Sequence, residues 1–218
     1  MEHRLPAAAA AENWVRFFEA MHRDWDERYR GEEYVYGTEP NDFLRSLADR
    51  LPAGRTLCIG EGEGRNAAFL AGLGHEVTAL DASSVGLAKA ARLAGSRGLS
   101  VATVHADLAD YAFEPAAWDL VVSIFCHTPP ALRRRVHAGI VGALRPGGMF
   151  LLEAYRPEQL GYATGGPPTA ELMMTLADLR GELAGLEIVH GAELEREVRE
   201  GRRHRGRAAV VQVLALRR

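Results

Sequence analysis

The run Leu57-Cys58-Ile59-Gly60-Glu61-Gly62-Glu63-Gly64-Arg65-Asn66 narrows the fold more than any other stretch of this chain. A short apolar segment feeds a glycine turn, and a helical pattern starts at Arg65. Glycine lets the backbone reverse tightly and approach a ligand with no Cβ in the way. The ligand then lies beside a helix N-terminus, where unpaired N–H groups gather. The rhythm continues downstream. Apolar runs at Thr56–Ile59, Glu76–Leu80, Val101–His105, Asp119–Phe125 and Met149–Ala154 read as strands. Arg65–Leu73, Ser83–Gly95 and Pro130–Leu144, the last ended by Pro146-Gly147-Gly148, read as helices. Strands alternating with helices imply crossover units. The expected fold class is therefore α/β, a doubly wound and mostly parallel sheet with helices on both faces.

The two ends differ. Residues 1–11 read as a loose tail, and aromatic residues recur at helical spacing from Glu12 to Arg30. An irregular piece, Gly31–Pro40, precedes a short helix that Asn41 or Asp42 can cap and that runs to Leu51. At the other end, a Gly/Pro-rich loop at Gly161–Pro168 leads to a predicted helix over Thr169–Leu183. Two extended runs follow, Leu186–Val198 and Ala208–Leu216, with only the polar turn Arg199–Arg207 between them. That turn is too short for a crossover helix, so the pair must be an antiparallel hairpin at the sheet edge. The division is residues 1–51 as tail and helical cap, and 52–218 as the main domain, within one compact body.

Several function classes drop out. Lys89 is the only lysine and follows alanine, so no G-x-x-x-x-G-K-[ST] phosphate loop exists. The two cysteines, Cys58 and Cys126, form no C-x-x-C, which argues against a disulfide scaffold or cysteine zinc site and fits a reducing cytoplasm. His75-Glu76 lacks the second histidine of H-E-x-x-H, and no metal site is expected. No apolar run approaches a membrane span, and the alanine run at Leu5–Ala11 is a poor signal peptide. The net charge of -3 is unlike that of a chain built to grip nucleic acid.

The spacing of the glycines sharpens the ligand. A dinucleotide fingerprint, G-x-G-x-x-G from Gly60, would need glycine where Arg65 stands. Glu61 and Glu63 would repel a pyrophosphate and suit a cationic ligand such as S-adenosylmethionine. Asp81 ends the second strand, placed to accept ribose hydroxyls. Asp107 ends the third, placed to meet adenine.

These features resemble the class I S-adenosylmethionine-dependent methyltransferases. More narrowly, Trp25-Asp26-x-x-Tyr29, Tyr36-Gly37-x-x-Pro40-Asn41 and Gly60–Asn66 resemble a bacterial small-molecule group related to tellurite-resistance and thiopurine methyltransferases. Phe125-Cys126-His127-x-Pro129, Thr164-Gly165-Gly166-Pro167 and Glu200-Gly201-x-x-His204-x-Gly206 resemble one branch of it. The resemblance implies a seven-stranded sheet with its last strand inserted antiparallel, and a cofactor across the C-terminal ends of strands one to four. Cys58 stands where most members carry an acid, which leaves Glu61 or the acidic loop to hold the cofactor's ammonium. The expected cofactor-binding residues are Gly60, Glu61, Gly62, Gly64, Arg65, Asn66, Asp81, Ala82, Asp107, Leu108, Phe125, Tyr29 and Tyr36.

His127 follows strand four and is the candidate catalytic base for a hydroxyl or amine acceptor. A thiolate or chalcogen oxyanion would need no base. Trp25, Arg28, Tyr162 and the 161–168 loop are further candidates around the site. Arg133-Arg134-Arg135 reads as an exposed helix face. The expected partner is a small-molecule methyl acceptor, with no membrane and no nucleic acid. Two other readings compete: a non-catalytic S-adenosylmethionine-binding module, and an RNA or protein methyltransferase docking through its arginine-rich turn. A nicotinamide-dependent dehydrogenase fits the fold alone, and the acidic loop with Arg65 counts against it.

Overall fold

A computed structural model describes residues 25–162, 164–202 and 204–218. Most of the expected helix over Glu12–Arg30 lies outside these residues; 25–29 are helical. The elements that follow are α1 (Asp42–Ser46), β1 (Arg55–Ile59), α2 (Arg65–Gly72), β2 (Glu76–Asp81), α3 (Ser84–Ser96), β3 (Ala102–His105) and β4 (Trp118–Ile124). Then come α4 (Pro130–Ala143), β5 (Leu144–Tyr155), α5 (Leu176–Glu182), β6 (Glu187–Glu200) and β7 (His204–Leu216). The seven strands form one sheet in the order β3-β2-β1-β4-β5-β7-β6. The first five are parallel. β7 enters antiparallel between β5 and β6. This is the class I methyltransferase fold, the one the resemblance implies.

Alternation along the central strands builds two cores, because successive strand side chains point to opposite faces. Leu57, Ile59, Val121 and Phe150 pack against Val136, Ile140 and Leu179 of α4 and α5. Cys58, Leu120, Val122 and Leu151 pack against Leu44, Leu70 and Leu87 on the other face. β4 lies between β1 and β5, and its residues 120–122 are shut off from solvent.

Three expectations need correction. The helix expected over Thr169–Leu183 is a 3₁₀ turn at Ala170–Leu172 and then α5. Thr175 restarts the helix through a reciprocal capping box with Asp178. Before it, Met173 and Met174 are extended and buried, with Met174 N–H bonded to the Tyr155 carbonyl at 3.0 Å. The Pro146-Gly147-Gly148 turn lies inside β5 and does not separate a helix from a strand. The hairpin is also tighter than its charge pattern implied. Pairing runs to Glu200↔His204, so Arg199, Arg205 and Arg207 are strand residues facing solvent. Gly201, at φ 68°, makes that closure possible.

Candidate active site

A cavity of about 630 Å³ opens across the C-terminal ends of the parallel strands. That is the usual size of a small-molecule site, at the usual place in a doubly wound sheet. Its walls bring together most of the residues singled out from sequence: Tyr29, Tyr36, Gly60, Glu61, Arg65, Asn66, Asp81, Ala82, Asp107, Leu108, Phe125 and His127. Gly62 and Gly64 lie behind this lining and shape it.

The glycines are required by geometry. Gly62 has φ 59°, and a Cβ there would meet the Tyr29 hydroxyl at 2.6 Å. Gly64 has φ 88°, and a Cβ would meet the Ala90 Cβ at 2.4 Å, where α2 crosses α3. A Gly64→Ala variant therefore combines left-handed backbone strain with a clash against a helix backbone. It should be destabilised by about 2 kcal/mol or more in urea unfolding.

Asp81 organises the loop. Its carboxylate accepts from Gly62 N–H and from Ser83 N–H, both at 2.8 Å. One carboxylate thus joins the glycine loop to the start of α3.

The acids of the loop do something other than the sequence suggested. Glu61 accepts the N–H groups of Asn66 and Ala67 at 2.9 and 2.8 Å, and so caps α2. Burial pushes its carboxyl up to about 7. Glu63 is held by Lys89 Nζ at 2.5 Å and accepts from Val35 and Tyr36 N–H. The loop is therefore not a strongly negative surface, because Glu63 is ion-paired and Glu61 is turned inward onto the N–H groups of α2. Cys58 is fully buried under α2. Asn66 is likewise committed: its side-chain carbonyl accepts Asn41 N–H at 2.9 Å.

The lone lysine is an anchor. Lys89 donates to the carbonyls of Tyr29, Gly31 and Glu33 at 3.3, 2.8 and 2.7 Å. Asp26 accepts from the Ser83 hydroxyl at 2.6 Å. The 25–41 segment is thus pinned over the cavity by Lys89, Glu63 and Asp26, whose partners sequence spacing does not reveal.

His127 lines the cavity, but its chemistry differs from expectation. Nδ1 donates to the Phe125 carbonyl, and Nε2 accepts Tyr155 N–H, both at 3.0 Å. Burial pulls its pKa down to about 4. Both nitrogens are occupied by backbone, so the ring is not poised to take a proton from a substrate. It braces the end of β4 against β5 instead. Phe125, beside it, adopts φ 52°, a strained conformation for a bulky residue that tends to mark functional sites. His127→Leu leaves two backbone groups without partners, at about 1–3 kcal/mol each, and unfolding in urea should show that loss.

A pH test follows from the same ring. Its folded pKa of about 4 lies below the ordinary 6.5, so only the unfolded state takes up this proton between those values. Its contribution to stability is complete above pH 6.5 and falls as pH drops toward 4. Glu61, raised from 4.5 to about 7, acts in the opposite direction across pH 4.5–7. The slope of stability against pH should be smaller in His127→Leu than in the wild type over pH 4.5–6.5.

The wall on the β5–β7 side adds one residue that sequence did not single out, Tyr155. Tyr155, His204, Gly165, Gly166 and Pro167 all line it. Phe125 and Tyr155 stack at 4.5 Å between ring centroids, and His204 meets Phe125 edge-on at 4.9 Å. Behind them is a buried polar network. Arg65 bonds Glu200 at 2.5 Å, and Arg196 bonds Glu153 at 2.7 Å and Glu200 at 3.0 Å. Asn41 Nδ2 also bonds both glutamates, at 2.5 and 2.9 Å. Tyr162, a sequence candidate, is not part of the lining, whereas residues 165–168 of its loop are. Arg133 is buried, not exposed, and is fixed to Glu182 at 2.7 Å.

The comparisons with known proteins bear on this geometry. Residues 56–148 match a family model described as a methyltransferase domain, from β1 to the glycines of β5. The matched stretch contains the glycine loop, Asp81, Asp107 and His127. No curated protein matches the chain in sequence. Solved structures share its fold. One was solved in work on the conversion of a disulfide bond into a thioacetal group during echinomycin biosynthesis, with TM-score 0.72, 23% identity, and coverage of 90% of this chain and 92% of that one. TehB from Haemophilus influenzae has TM-score 0.66 and 18% identity, covering 89% of this chain and 66% of that one. The 1,6-didemethyltoxoflavin N1-methyltransferase of Burkholderia thailandensis has TM-score 0.64 and 21% identity, covering 100% and 93%. Among the described residues, no group of three or more His, Cys, Asp or Glu could hold a metal. No described helix is long and apolar enough to cross a membrane.

Proposed function

We propose that this protein is an S-adenosylmethionine-dependent methyltransferase acting on a small molecule with a soft, already ionised acceptor atom. The carrying observation is the cavity at the strand ends, lined by a glycine loop without room for side chains and by Asp81 and Asp107. Two of the structural neighbours support the small-molecule reading. One was solved in work on echinomycin biosynthesis and one is crystallised with a didemethyltoxoflavin and S-adenosylhomocysteine.

The residues that would hold the cofactor are the Gly60–Gly64 backbone, Asp81, Ala82, Asp107 and Leu108, with Tyr29, Tyr36 and Phe125 around them. The cofactor supplies a methyl group on a sulfonium, already activated for displacement. The chain's own part is alignment and exclusion of water. The cap of residues 25–41 and the Gly165–Pro168 stretch close two sides of the cavity.

The absence of a poised base favours an ionised acceptor. His127 has both nitrogens engaged. Burial raises Cys126 to about 12 and pushes the Tyr155 hydroxyl upward too. His204 is drawn down to about 3 by burial and by Arg65. A thiolate or chalcogen oxyanion needs none of them to give up a proton. The room beside Tyr155 and His204 favours an enzyme over a plain cofactor-binding module. A turnover screen with labelled methyl donor against thiols, selenite, tellurite and small phenols tests the reading. Transfer to thiols or chalcogen oxyanions is expected; transfer only to neutral amines would contradict it.

A further inference from the structure

Three buried polar atoms, each on a residue that lines one wall of the cavity, have no hydrogen-bond partner: Arg65 Nη1, Tyr155 Oη and His204 Nδ1. Tyr155 is 1% exposed and Arg65 7%, so water in bulk does not satisfy them. A buried polar group left unmade is costly, and each one in a folded protein asks for an explanation. All three belong to residues that line the same cavity. Tyr155 ends β5 and His204 opens β7, on the far side of β4 from Asp81 and Asp107. Arg65 reaches toward them, with its other terminal nitrogen on Glu200 of β6.

We propose that Arg65, Tyr155 and His204 form a subsite that binds a negatively charged oxygen on the methyl acceptor. The proposal rests on the methyltransferase reading and names the substrate class for it: a small molecule, flat enough to lie among rings, that carries a carboxylate, phenolate or chalcogen oxyanion. The chemistry follows from the atoms. An arginine Nη1 only donates, a tyrosine hydroxyl can donate, and a neutral imidazole can present N–H at Nδ1. Three unpartnered donors on residues that line one cavity call for an acceptor-rich group. An anion makes the stronger, charge-assisted bonds. The acids nearby do not oppose it, because Glu200 is paired with both Arg65 and Arg196, and Glu153 with Arg196. The rings of Phe125, Tyr155 and His204, with centroids 4.5–5.4 Å apart, supply the flat surround.

The test uses two probes of the same shape, benzoate and benzamide, titrated calorimetrically into the full chain with and without saturating S-adenosylhomocysteine. Benzoate should bind at least tenfold more tightly than benzamide. Tyr155→Phe and His204→Phe each keep a ring and remove the polar atom. Each should weaken benzoate at least fivefold and leave benzamide unchanged. Tyr155→Phe takes a hydroxyl that bonds nothing, so its melting temperature should not fall. Equal binding of the two probes, binding of neither, or variants that hold benzoate as well as the wild type would overturn the subsite. If S-adenosylhomocysteine fails to bind while benzoate still discriminates, the cofactor reading falls and the anion subsite stands.

Discussion

Asp81→Ala lowers affinity for S-adenosylhomocysteine at least tenfold. The sequence places Asp81 at the end of a strand, where a carboxylate accepts the two ribose hydroxyls. The structure adds a second contribution. The same carboxylate holds Gly62 N–H and Ser83 N–H at 2.8 Å, so removing it also loosens the loop the ligand lies on. Hydrogen bonds to a charged group contribute roughly 1.5–3 kcal/mol each, and about 1.4 kcal/mol is tenfold in affinity. Loss of even one such contact meets the threshold. Asp81→Asn separates the two contributions, because an amide oxygen still accepts one backbone N–H. It should bind more weakly than the wild type and more tightly than the alanine variant. Isothermal calorimetry checks the series. Unchanged affinity in both variants would reduce Asp81 to a structural cap.

Glu153→Ala should be the most destabilising single change in the molecule's polar interior. Glu153 is fully buried and accepts from Asn41 Nδ2, from Arg196 Nε and Nη2, and from Gln212 Nε2, at 2.5 to 2.9 Å. Removing the carboxylate leaves the Arg196 guanidinium half-paired in a dry environment. Breaking a buried pair from one side costs about 3–5 kcal/mol. Arg196→Leu with Glu153→Leu removes both members of that pair and should recover part of the loss. Urea unfolding monitored by circular dichroism measures both. A loss below about 1 kcal/mol for Glu153→Ala would mean that the network is decorative. Because Glu200 links this network to Arg65, the variant should also weaken benzoate binding.

Much of the architecture was legible because it is local. β1, α2, β2 and α3 fall within a residue or two of their expected bounds, since apolar runs, glycines and the Ser83 cap mark them directly. The hairpin was legible from a connection too short to cross the sheet. Its turn was misjudged because arginines were read as loop residues, whereas solvent-facing edge strands carry charge readily. The helix over 169–183 failed where Met173 and Met174 found a buried place against the Tyr155 strand end, a tertiary gain that local periodicity cannot report.

The glycine-loop wall of the cavity was readable for a related reason: its residues follow strand ends in order. The opposite wall was readable only in pieces: Arg65, His204 and residues 165–167 stood out, and Tyr155 did not. Tyr155, Arg65 and His204 meet only through the strand order β5-β7-β6 and the closure at Gly201. Nothing in their spacing signals it. His127 shows the converse error. Its position at a strand end suggested chemistry, and only the two backbone bonds to its ring reveal a brace. Glu63, read as loop charge, turned out to be the partner of Lys89, 2.5 Å away.

The central claim is that the cavity formed by the glycine loop, Asp81 and Asp107 takes S-adenosylmethionine and its product. Calorimetric titration of the full chain with S-adenosylhomocysteine, and separately with NAD, tests it most directly. The account predicts one-site binding of S-adenosylhomocysteine and no heat from NAD. Binding of NAD with none of S-adenosylhomocysteine would contradict it.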